Sequence, residues 1–270
     1  MSDTTPRTPA ESSVETRAAI RTAAWGLAIY TATRVVAVVL ASASMASAVA
    51  QAIAAEWGAG RLGVTWSDAH APPPSSGKMA RRAVIGAAAG AIAAAVLLAL
   101  AAATGAALVE KTEGALPWSL VAVGLVTAGL NAMRDELILH GVTLRALSSV
   151  ASPLARSLAC GVTSAAAALG EPSANVQAVL AHLLLGIALG SLWVRDRGAW
   201  MAWGAHTAWL FVVGTLFGGG LADTRVASSS WGGGNAGILG GTAAVVALAP
   251  IAIVALSLVR RVGSTPKDGG

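Results

Sequence analysis

The sequence predicts an all-α, polytopic transmembrane helical bundle of about seven spans, and three observations predict it. Of 270 residues, 55% are hydrophobic and 11% charged, with mean hydropathy +0.68, far from the ~25% charged residues of an ordinary soluble domain. The apolar residues form long runs near 22–52, 83–109, 117–133, 152–169, 176–194, 198–217 and 235–259, and about 20 residues at ~1.5 Å rise cross a bilayer core. Nine residues are Trp, which favours the boundary between headgroups and hydrocarbon; Trp118, Trp193 and Trp200 stand where runs begin or end.

In chain order, residues 1–21 are rich in Ser, Thr, Pro and charge without apolar period and predict a disordered tail. The first run is longer than the apolar part of a cleaved leader and carries Arg34 inside it, which favours a span over a signal peptide. Pro72, Pro73 and Pro74 place a loop in 56–82, and Gly218 to Gly220 with the Ser- and Gly-rich 226–235 stretch place another before the last span. The membrane domain is therefore 22–261, followed by a second disordered tail at 262–270. Gly86 with Gly90, and Gly186 with Gly190, are spaced to let helix backbones approach closely. The single cysteine, Cys160, lies within an apolar run; it forms no intramolecular disulfide and reads as a small buried hydrophobe.

The net charge of +5 and pI near 10.3 do not point to nucleic acid, because the basic residues flank apolar runs rather than form a patch. The lipid bilayer is the partner that pattern fits. With alternating spans, Arg61, Lys78, Arg81, Arg82, Arg134, Arg145, Arg156, Arg195, Arg197, Arg260, Arg261 and Lys267 fall on one side, and Lys111 and Arg225 on the other. The positive-inside rule makes the first side cytoplasmic. The expected setting is a bacterial inner (plasma) membrane with the C-terminus in the cytoplasm. Seven spans then put the N-terminus outside, which Arg7, Arg17 and Arg21 oppose.

An ionisable group at the centre of a span costs ~2.5 kcal/mol or more and so marks a candidate site. The densest cluster is Asn131, Arg134, Asp135, Glu136 and His140. On a helix, Glu136 and His140 share a face while Asp135 is turned about 100° from Glu136. Three readings stand open: a hydrated helix end, a metal site completed by His206 or His182, or a carboxylate tuned by its neighbours as a general base for water. His206 lies among small residues within a span, which fits a cavity-facing ring. His182 fits a helix contact, and Arg34 fits a partner within the bundle.

These residues resemble the CPBP family of intramembrane endopeptidases (CAAX prenyl protease, bacteriocin-processing, Abi) over about 133–216. The family's first motif is two Glu, three residues and Arg, usually then Gly. Asp135, Glu136, His140 and Gly141 occupy it, with Asp135 and His140 as substitutions. The second motif, Phe, three residues and His, falls on Ala167 and Glu171, and the third, His, three residues and Asn, on His206 and Leu210. The resemblance implies an endopeptidase hydrolysing membrane-associated peptide or protein substrates, without a cofactor, in a partly hydrated cavity open toward the cytoplasm. It implies Asp135 as the base, Glu136 as its supporting carboxylate and His206 as the orienting or oxyanion group, with His140 in the Arg position and Glu171 in the second His position. A metal ion is not implied by any specific motif. The alternative is a catalytically inactive member acting as a membrane-binding, immunity or scaffold protein, and a small transporter stands last.

Overall fold

The computed structural model describes residues 9–40, 43–67, 74–112, 117–227 and 229–263. Its helices are α1 Pro9–Val39, α2 Ser44–Arg61, α3 Ser76–Ala103, α4 Trp118–Asp135, α5 Val142–Ala146, α6 Pro153–Ala168, α7 Val176–Asp196, α8 Trp200–Leu210 and α9 Thr242–Gly263. A π-helical turn, Glu136–Gly141, joins α4 to α5 in one continuous rod, and a second, Phe211–Leu216, extends α8. Two short strands, β1 Ala107–Lys111 and β2 Ala222–Val226, pair antiparallel with Ala107 opposite Val226, where the sequence predicted a span end and a loop.

The all-α membrane bundle expected from composition is what forms, with its volume distributed as lipid requires. The interior is made of small side chains: Ala55, Ala59, Ala94, Ala101, Ala132, Ala202 and Ala244 are fully buried. Large apolar side chains such as Val38, Ile92, Val162 and Ile253 point outward, a solution open to a chain whose exterior faces hydrocarbon and whose helices associate by close packing. Four helical stretches are long and apolar enough to cross a membrane: Ser13–Val39, Ser76–Ala103, Val176–Asp196 and Thr242–Arg260. The runs expected at 117–133, 152–169 and 198–217 become α4, α6 and α8. These are shorter helices, or helices interrupted by charge or a π turn, and they complete the bundle.

One expected run is two helices. The 22–52 stretch divides between α1 and α2, which fold back on each other so that Ile29 packs against Gly58. The loop expected at 56–82 correspondingly shrinks, since α2 continues to Arg61 and α3 starts at Ser76. The neighbour relations fix the direction of each pass. Met45 meets Thr127 and Gln51 meets Arg134, so α2 runs parallel to α4; Gly161 meets Ile187 while Gly190 meets Cys160, so α6 and α7 are antiparallel. The extra pass puts the start of α1, with Arg17 and Arg21, at the same end as Arg61, Arg81, Arg145, Arg156, Arg195 and Arg260. That removes the conflict over the N-terminal basic residues.

The tail expected over 1–21 is shorter than predicted, because α1 begins at Pro9. Proline suits a helix's first turn, and no Gly or Pro follows before Gly26. At 31 residues and ~1.5 Å each, α1 exceeds a ~30 Å hydrocarbon core, so the polar composition of its first turns reflects a helix projecting from the bilayer. Residues 1–8, His70 and residues 264–270 of the second expected tail lie outside the described residues.

The small-residue pairs act as predicted. A Cβ on Gly86 or Gly90 would fall on the carbonyls of Met201 and Ala205 in α8, so α3 and α8 touch backbone to backbone. Gly186 and Gly190 let α7 close on Ser164 and Cys160 of α6. Both contacts hold elements of the site described next.

Candidate active site

Glu136 opens the π turn and is completely buried. Its Oε2 accepts hydrogen bonds from Nδ1 of His140 at 2.9 Å and from the indole Nε1–H of Trp193 at 2.6 Å, and its Oε1 accepts from Nδ1 of His206 at 2.9 Å. The carboxylate thus joins three elements: its own rod, α7 and α8. The wider winding of a π turn, a feature frequent at functional sites, carries His140 over Glu136. Nε2 of His140 lies 3.0 Å from Oγ of Ser164 on α6. A buried carboxylate is tolerable only when its oxygens are satisfied, and this one accepts three hydrogen bonds.

Asp135, one residue earlier on the rod, faces a different neighbour. Arg134 donates from Nε to its Oδ1 at 2.6 Å and also hydrogen-bonds Gln51 of α2, with the guanidinium 5.7 Å from the centre of the Tyr30 ring. Arg34 of α1 forms an ion pair with Glu171, just past the end of α6. A cavity of 190 Å³ is lined by Asp135, His140, Ser164, Glu171, His182 and His206, together with Arg34 and Arg134. Of the residues singled out from the sequence, the fold therefore gathers Asp135, His140, His206 and Glu171 around one cavity, with Glu136 directly behind both imidazoles. The hydrated-helix-end reading of the cluster fails, since Glu136 and His140 are among the most deeply buried side chains of the chain. Glu171 is half-exposed yet reaches the cavity wall rather than lying free in a loop. His182 bonds the Ala178 carbonyl of its own helix at 2.8 Å.

The approach to the cavity is the reverse of the one expected. A groove of 630 Å³ shares Arg34, Arg134, Asp135 and Leu210 with the cavity and runs past Leu40, Ser44, Leu120 and Gly218. Those residues mark the end of the bundle opposite the arginine-rich one. Among the described residues no three His, Cys, Asp or Glu side chains converge as metal ligands, and both Nδ1 atoms are already turned to Glu136.

Sequence reading did not single out Trp193, Ser164 or Gln51 as parts of the site. Trp193 was assigned to the lipid boundary, but it is 7% exposed and turned inward. A signal was present, because it follows Gly186 and Gly190 by seven and three residues and shares their inward face. Trp193→Phe keeps an aromatic ring of smaller volume and deletes the donor. It is expected to lower unfolding free energy by ~1.5–3 kcal/mol, the range for hydrogen bonds to charged groups, whereas Trp118→Phe, at a position 77% exposed, changes it by less than ~0.5 kcal/mol. Denaturant titration of the purified protein compares the two.

Residues 117–212 match the family model described as type II CAAX prenyl endopeptidase Rce1-like. That stretch runs from the residue before α4 into the π turn after α8 and contains Asp135, Glu136, His140, Ser164, Trp193 and His206. The resemblance to the CPBP/CAAX protease family read from the motifs holds over it, and the chain is an integral membrane protein with a segment similar to that family's model. The comparisons with curated proteins and with solved structures gave no match.

Proposed function

Taking residues 117–212 as an Rce1-like core, we propose that the protein is an intramembrane endopeptidase that hydrolyses peptide bonds of membrane-associated peptides or proteins. The observation that carries this reading is the fully buried Glu136 carboxylate holding His140 and His206 in fixed orientations beside a cavity that Asp135 also lines. Glu136 has both oxygens engaged and so serves to position the imidazoles. Asp135, held through one oxygen by Arg134, is the carboxylate placed to act on water.

In the proposed reaction a water molecule attacks the scissile carbonyl carbon as Asp135 takes its proton. His206, in the imidazolium form and oriented by Glu136, donates from Nε2 to the carbonyl oxygen as negative charge builds there. Arg34 and Arg134 add positive charge to the same wall. The proton on Asp135 then passes to the amide nitrogen, the C–N bond breaks, and a carboxylic acid and an amine leave, the acid then ceding its proton to the amine or to water while Asp135 is left ionised as at the start. Fixed groups in a water-poor site contribute more than the same groups in bulk water because nothing must reorient during the step.

The positive-inside rule, applied to the end bearing Arg61, Arg145, Arg156, Arg195 and Arg260, supports a cytoplasmic position for that end and for both ends of the described chain, in the proposed setting of a bacterial inner membrane. The groove beside Asp135 then opens on the opposite, extracytoplasmic side, and substrate enters there.

The test is cleavage of a fluorogenic membrane-peptide library by the detergent-purified protein. Asp135→Asn and His206→Ala are each expected to lower turnover by ~100-fold or more, the scale of a lost general base or oxyanion donor, with unchanged activity in chelator. Wild-type rates in Asp135→Asn would sink the reading. No cleavage by any preparation would leave a catalytically inactive membrane-binding protein in its place.

A further inference from the structure

A second pocket, distinct from the proposed active site, lies at the arginine-rich end. It has a volume of 380 Å³ and is lined by Arg145 at the end of α5, Arg156 on α6 and Arg197 at the end of α7, against an apolar wall of Val64, Leu144 and Trp193. No Asp or Glu is among its described lining residues. The nearest acid in sequence, Asp196, is held by Arg82 at 2.9 Å. The buried Nε–H of Arg156 has no hydrogen-bond partner among the described residues. Three arginines thus line a cavity that has no carboxylate among its described lining residues, an arrangement that a bound anion completes.

The turn after α7 points the same way. Arg197 ends the helix in the left-handed conformation, at φ 52°, the one non-glycine residue with positive φ among the described residues. Glycine usually occupies that place. Here the glycine comes one residue later, because Gly198 lies where a Cβ would meet the Trp66 carbonyl and donates its N–H to the Trp193 carbonyl at 3.1 Å. The chain therefore keeps an arginine in a conformation that L side chains seldom adopt, at a turn that borders the pocket. Backbone strain of this kind persists where surrounding structure and function hold it.

We propose that this pocket binds a phosphate group. Guanidinium forks match phosphate oxygens in pairs, and three of them around one cavity suit a tetrahedral anion with oxygens on every side. The apolar wall of Val64, Leu144 and Trp193 accommodates the carbon skeleton that a phosphate ester carries. The position, at the end of the bundle where basic residues gather, is the depth of lipid phosphates in a bilayer, so a phospholipid headgroup and a free phosphate are the two sources of the ligand.

Equilibrium binding to the full chain in neutral detergent tests this with three probes: dioctanoyl phosphatidylglycerol, inorganic phosphate and, as the control without phosphate, dioctanoylglycerol. Phosphatidylglycerol binding at least tenfold tighter than inorganic phosphate identifies a headgroup site, comparable binding of both identifies a free-phosphate site, and either supports the proposal. Arg197→Gly relieves the left-handed strain and deletes the charge. It is expected to weaken binding at least tenfold while the melting temperature holds or rises, and Arg145→Gln, at an exposed side chain, is expected to weaken binding similarly with the fold intact. Binding of neither phosphate probe above the control, or wild-type affinity in both variants, overturns it.

Discussion

Glu136→Gln is expected to abolish hydrolysis, lowering turnover by ~1,000-fold or more, and to destabilise the folded protein at the same time. The carboxylate accepts three hydrogen bonds, from His140, Trp193 and His206. An amide of the same shape has one accepting oxygen and an NH₂ group that only donates. Turned toward Trp193, the NH₂ faces an indole N–H that can only donate, at ~1–3 kcal/mol for the unsatisfied group; turned toward His206, it requires the tautomer with Nδ1 unprotonated, which changes how that ring is held. The change also removes the buried carboxylate that orients both imidazoles. Because Glu136 acts through the imidazoles, adding His206→Ala to Glu136→Gln is expected to lower turnover by less than threefold more, as residues acting as a unit are strongly non-additive. Single-turnover cleavage with denaturant titration of the same preparations reads both effects. Retained wild-type turnover in Glu136→Gln, or losses that multiply in the double variant, would falsify its positioning role.

Much of this arrangement was legible in the sequence because a membrane chain can place few ionisable groups inside, and each is therefore conspicuous. The Glu136 and His140 spacing forecast a shared face, and the hydrogen bond between them realises it through a π turn rather than an α turn. His206 stood out among small residues and meets Glu136 across 70 positions of chain. The break between α1 and α2 was not legible, because the Ala-rich run from Ala23 to Ala55 contains only one Gly and no Pro, and its apolar character does not distinguish one long helix from two antiparallel ones. Charge carried the missing information: Arg17 and Arg21 could join the other basic residues only if the run crossed once more. Trp193 was misplaced for a related reason. Its neighbour Arg195 marks an interface, and composition at a helix end does not reveal that one ring among several turns inward to reach a carboxylate 57 residues away. Glu171 was ambiguous because its partner, Arg34, lies 137 residues distant on α1, a pairing that only the packed bundle reveals.

Gly90→Ala is expected to damage stability and activity together, although Gly90 bears no functional group. The added methyl would land on the Ala205 carbonyl, a backbone atom that cannot rotate aside as the end of a side chain can. The helices α3 and α8 must separate to admit it, and overpacking of this kind costs ~1–3 kcal/mol. Ala205 directly precedes His206, so the separation shifts the imidazole relative to Glu136 and the cavity. A misplacement of ~1 Å in a catalytic group can cost ~100-fold in rate. Gly77→Ala supplies the contrast on the same helix, since nothing lies within 4 Å of its added Cβ; there the higher helix propensity of Ala is expected to leave stability unchanged or raise it by up to ~1 kcal/mol, with turnover unaffected. Measuring melting temperature and turnover for both variants separates a general cost of altering α3 from a specific loss of alignment at α8. If Gly90→Ala loses stability but keeps full turnover, the α3–α8 contact supports the bundle without positioning His206. If both fall, a glycine stripe read from the sequence as packing is also what fixes the distance between His206 and the buried carboxylate that holds it.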